Sequence, residues 1–135
     1  MASFNKINIF VANIANGVHN LGSDQLKVFL TDSSPTASNT VIANITEVSY
    51  TNCSTRNITT TSSTQTSGTY KLLLTQLTLT ASGTVGPFRY VGVYDSTAAS
   101  GPLICWYDNG SEVTLNNGDT FLVAFDTTNG LLQIA

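Results

Sequence analysis

Charge is what this chain has least of. Asp, Glu, Lys and Arg make up 10% of its 135 residues, against roughly a quarter in ordinary soluble domains. The five basic residues, Lys6, Lys27, Arg56, Lys71 and Arg89, are scattered. Without a basic run there is no electrostatic footprint for nucleic acid and no patch for an anionic membrane surface. No apolar run approaches the ~20 residues that a membrane helix needs. The opening MASFNKINIFVANIANGV also lacks the basic start, continuous apolar core and small-residue cleavage site of a signal peptide. The expectation is a protein that stays in a reducing compartment, with Cys53 and Cys105 as free thiols rather than a bridge. Were they to pair, closing so long a loop would contribute ~4 kcal/mol.

Reactive chemistry is equally scarce. The single histidine, His19, stands in NGVHNLG, where a lone imidazole is a helix cap or packing residue more often than a general base. No Cys/His spacing for zinc, no acidic calcium loop, no phosphate-binding glycine loop and no nucleophile elbow is present. Asp95, Asp108, Asp119 and Asp126 lie near strand ends and loops, where a calcium site or a carboxylate pair is conceivable, but scattered carboxylates ordinarily solvate turns. The sequence therefore carries no catalytic, metal-binding or cofactor-binding assignment.

What replaces charge is 21 Thr, 14 Ser and 13 Asn. Such a surface forms hydrogen bonds and repels weakly, so another protein can approach it without desolvating charges. Four Asn-x-Ser/Thr sequons begin at Asn44, Asn52, Asn57 and Asn109, about as many as this composition produces by chance.

Periodicity predicts one mainly β domain over 1–135, a β-sandwich or jelly-roll-like fold with a short N-terminal helix over 4–16. In that helix Ile7, Phe10, Val11 and Ile14 share a face, with Ser3 as N-cap; a strand through Ile7, Ile9 and Val11 competes. QLKVFLT (25–31) alternates as a strand. Residues 51–68 are Thr-rich, an exposed edge strand or a flexible arm. TYKLLLTQLTLTA (69–81) reads as one long strand whose apolar phase changes near Thr75 and Gln76, which predicts a β-bulge. Strands follow at 87–95 and 103–108, then a meander of EVTL, FLVAF and LLQI, with Asn117-Gly118 as a hairpin turn.

FRYVGVY and LICWY are apolar on both faces, whereas a surface strand should be polar on one. Three things could cover the second face: the rest of the chain, another subunit, or a ligand. The subunit reading nominates Arg89, Val91, Val93 and Trp106 as contacts, with Arg56, Thr60 and Thr64 of the Thr-rich segment as a second set. A stacking platform of Trp106, Tyr107, Tyr90 and Tyr94, with Asp108 and Asn109 as polar partners, would instead suit a glycan.

HNLGSDQLKVFLTDSSP, GTYKLLLTQLTLTASGTVGPFRYVGVYDSTA, PLICWYDNGSEVTLNNGDTF and the closing LLQIA together resemble a type of small protein encoded among tailed-bacteriophage virion genes. The resemblance covers most of the chain, and none of its motifs encodes a reaction. It implies a non-enzymatic virion structural protein, a capsid decoration or cement protein, whose partners are copies of itself, as a homotrimer, and the major capsid protein. The alternative is a glycan- or receptor-binding module of a virion tail.

Overall fold

A computed structural model describes residues 2–135. Along the chain run β1 (Asn5–Lys6), α1 (Phe10–Ala15), β2 (Leu26–Thr31), β3 (Thr60–Thr66), β4 (Thr69–Leu74), β5 (Leu77–Thr80), β6 (Val85–Asp95), β7 (Leu103–Leu115), β8 (Thr120–Val123) and β9 (Leu132–Ile134). A four-stranded sheet in the order β1-β7-β6-β2, a three-stranded sheet β3-β4-β9 and the pair β5-β8 enclose one hydrophobic core. The fold is mainly β, sandwich-like, with one short helix.

The apolar strands take the centre because neither of their faces suits water. β6 lies between β2 and β7, and Val91, Gly92, Val93, Tyr94 and Asp95 are all buried. In the antiparallel register Val91 stands opposite Leu30 and Tyr107, and Gly92 opposite Phe29 and Trp106, so the two sets occupy opposite faces. Ile42, Ile45, Val48 and Tyr50, from the long connection after β2, pack against the core. The second face is thus covered by the chain itself. Val91 and Val93 are corrected from contact residues to core residues, 6% and 1% exposed, although Val91 also reaches the floor of a surface groove.

The free edge of β2 is sealed by its own chain. Val28 N donates to Arg56 O, Ile58 N to Leu26 O and Val48 N to Leu30 O. Residues 56–58 are therefore pinned and are no arm, while β3 beyond them is an edge strand with a single partner, β4.

Four further expectations are revised. The N-terminal helix is only Phe10–Ala15, because residues 5–6 pair with Cys105 and Trp106 of β7 instead; Ser3 caps nothing there, the N-cap position being Ile9. The phase change at Thr75-Gln76 is not a bulge but a change of sheet: β4 pairs with β3 and β9, and β5 pairs with β8. The strand at 103–108 runs on to Leu115, passing Gly110 at φ +87°. Residues 116–119 do turn, with Asp119 N donating to Asn116 O. They join strands of different sheets, though, because β8 pairs with β5 and not with β7.

Candidate functional site

The residues nominated from the sequence fall in three separate places. Arg89, on β6, meets Asp108 of β7 through two parallel bonds, Nε to Oδ1 at 2.8 Å and Nη2 to Oδ2 at 3.0 Å. The Asp108 carboxyl is held below the usual carboxylate range by the Arg89 guanidinium and then by the Gly110 amide. Its ionised form is favoured in the folded state, so the stabilisation is present above the ordinary carboxylate pKa and is lost as pH falls through the lowered one. A carbon-detected NMR titration is expected to find Asp108 still mostly ionised at pH 3.8, the ordinary Asp value. A midpoint at or above it would mean that the fork does not persist in solution.

Arg56 is immobilised. Its Nη1 donates to Val28 O at 2.8 Å and its guanidinium lies 3.6 Å from the centre of the Tyr50 ring. Glu47 stands 3.6 Å away, and also accepts from Tyr50 Oη at 2.7 Å. These contacts staple the connection after β2 onto that strand, and Arg56 serves the fold before any partner. Thr60 is half-buried; Thr64 is exposed and lines a shallow groove with Thr66, Thr69, Lys71, Leu73 and Gln133.

The aromatic residues do not gather into a platform. Trp106 and Tyr107 are consecutive in β7 and so project to opposite faces, and Tyr94 is buried. Both cysteines are free, Cys105 wholly buried and Cys53 partly so. Burial pushes the Cys105 thiol far above its ordinary value, which leaves it unreactive.

Two constellations went unseen in the sequence. The first joins His19, after α1, to Asp95 at the end of β6: Nδ1 lies 2.9 Å from Oδ2, with both side chains at 0% exposure. Asp95 Oδ1 accepts from the amides of Thr97 and Ala98, and the imidazole packs against the Phe10 ring at 5.2 Å. Nε2 of His19 is buried without a partner. Asp24 lies alongside: burial raises its carboxyl above the usual range, the Asp95 carboxyl adds to that rise, and the Asn20 amide opposes it. The pair has the outline of a catalytic dyad, but neither member is exposed to a solvent-borne substrate, and neither lines any of the three surface grooves. Its geometry is that of a latch between the N-terminal segment and the central strand. Among the described residues, no group of three or more His, Cys, Asp and Glu is placed to hold a metal ion.

The second is an apolar band. A groove of about 430 Å³ runs past Phe4, Tyr107, Leu122 and Phe125. A second, of about 660 Å³, runs past Phe4, Val11, Leu132 and Ile134. They share Phe4, Gly130 and Leu131 and so form one surface. Among the described residues six large apolar side chains are exposed, and four of them, Phe4, Val11, Leu122 and Ile134, line this band. The signal in the sequence was faint: Phe4 and Val11 read as part of a helix, and Leu122 and Ile134 as ordinary strand residues.

No family model, no curated protein and no solved structure matches the chain.

Proposed function

We propose that this protein is a non-enzymatic structural component of a phage virion, one that decorates or stabilises the capsid through protein–protein contacts. The observation that carries the protein-contact part of the reading is the band around Phe4. Apolar side chains concentrated on one surface are the ordinary mark of a protein interface. The polar lining of the band is Asn109, Asn129 and Gln133, with Lys6 and Asp126 as the charged side chains, so little charge has to be stripped of water on contact. The resemblance to tailed-phage virion proteins directs that contact to the capsid. A modest interface, roughly 800 Å² per partner, repeated at every equivalent place on a shell, reinforces it even where each contact is weak.

The test is co-sedimentation with bare capsids of the virus that encodes the chain. Saturable binding is expected, with Leu122→Asp, a change at a 54% exposed side chain, reducing it at least tenfold while the circular dichroism spectrum stays that of the parent. If the folded wild-type protein remains in the supernatant at every ratio, the capsid placement is lost.

A further inference from the structure

The band around Phe4 has a charge pattern that identifies its occupant. Only two charged side chains line it, Lys6 in the groove beside α1 and Asp126 in the groove beside β8. They are of opposite sign and line different grooves, which meet at the shared residues Phe4, Gly130 and Leu131. Neither has an ion-pair partner within 4.0 Å among the described residues, although the charge of Lys71 acts on Asp126 from further off. Asp126 is nevertheless fixed: its Oδ1 accepts from the amides of Thr128 and Asn129, and its Oδ2 from Asn129 Nδ2. Those bonds hold its carboxyl below the usual range, so it is an anion at neutral pH.

We infer that the band is occupied by a second copy of this chain, related by a twofold axis that passes near Phe4 and sets Lys6 of each protomer against Asp126 of the other. A twofold interface is self-complementary: if one residue meets another across it, the reverse contact also forms. An apolar strip with one cation in one of its grooves and one anion in the other meets that condition with a single surface. A ring of three requires two different surfaces on each protomer, whereas here both charges border the same one. The open edge of β9, which pairs only with β4, belongs to the same strip through Leu132 and Ile134. The inference rests on the reading of the band as a protein interface and adds the identity of the partner.

The experiment is sedimentation equilibrium on the full chain and on two charge reversals, Lys6→Glu and Asp126→Lys. The wild type is expected at twice the 14.3 kDa chain mass. Each reversal places like charges together twice per dimer and is expected to raise the dissociation constant roughly 100-fold or more. Mixing the two variants in equal amounts restores the dimer. In the mixed pair the two reversed charges face each other across one half of the interface, and the native Lys6 faces the native Asp126 across the other half. A monomeric or trimeric wild type overturns the inference, as does a dimer indifferent to both Lys6→Glu and Leu122→Asp. Separately folded variants that stay monomeric when mixed overturn it too. The two readings fail separately. A monomer that loses capsid binding on Leu122→Asp sinks the twofold but keeps the interface, and a dimer that never binds capsids keeps the twofold and sinks the capsid placement.

Discussion

Gly92→Ala is expected to cost the domain at least ~3 kcal/mol, the upper end of what overpacking a core side chain brings. A Cβ at that position would lie 2.0 Å from Cζ and 2.2 Å from Cε1 of Phe29, its cross-strand neighbour. The ring is wholly buried, so it has no open space to swing into, and relief requires moving the strand that carries it. Against a total stability of about 5–15 kcal/mol for an ordinary domain, that loss is a large share of the whole. Phe29→Ala alone empties the site and is expected to cost ~3–5 kcal/mol. In the double variant the two losses must fall well short of additive, because the group that clashes is gone. Urea unfolding of the four proteins decides it, and additive losses would mean that Phe29 does not lie over Gly92 in solution.

Asp95→Ala is the second large effect, expected at ~3–5 kcal/mol, the range for removing one partner of a buried polar pair. The substitution strips His19 Nδ1 of its acceptor while Nε2 is already without a partner, and it releases the amides of Thr97 and Ala98. A buried imidazole with neither nitrogen satisfied carries the desolvation cost of both. His19→Phe is expected to be milder, since the aromatic packing on Phe10 is retained and Asp95 keeps the amides of Thr97 and Ala98 as donors. A larger loss for His19→Phe in the same urea experiment would show that the imidazole and not the carboxylate is the centre of the latch, and equal losses would show that neither partner dominates.

The strands were legible wherever side-chain period decides them. LKVFLT became β2, and the doubly apolar FRYVGVY and LICWY became the buried β6 and the start of β7, because a strand with two apolar faces is stable only with cover on both. Periodicity does not say which sheet a strand joins. The phase change at Thr75-Gln76 was visible, but a bulge and a change of sheet shift the apolar phase in the same way. Asn117-Gly118 likewise specified a turn without specifying that its two arms pair. Val91 and Val93 looked like contact residues because nothing in the local pattern shows that they face the core, where Val91 lies among Phe121, Val123, Phe125 and Leu131 of the distant C-terminal stretch. The His19–Asp95 latch spans 76 positions, and no local spacing announces such a pair. The Phe4 band is assembled from four separated parts of the chain whose residues are ordinary one by one.

The change of sheet after Leu74 also has a mechanical consequence. Between Leu74 and Leu77 the backbone spans about 10 Å at full extension, and Thr75 is tied on the way by its amide to Thr59 O and by its hydroxyl to that of Thr61. The three-stranded sheet and the β5-β8 pair are therefore coupled by a short, hydrogen-bonded tether, and drawing them apart along the chain means rupturing those hydrogen bonds first. Load applied to one is transmitted to the other as tension along the main chain, not as shear across a lubricated apolar layer.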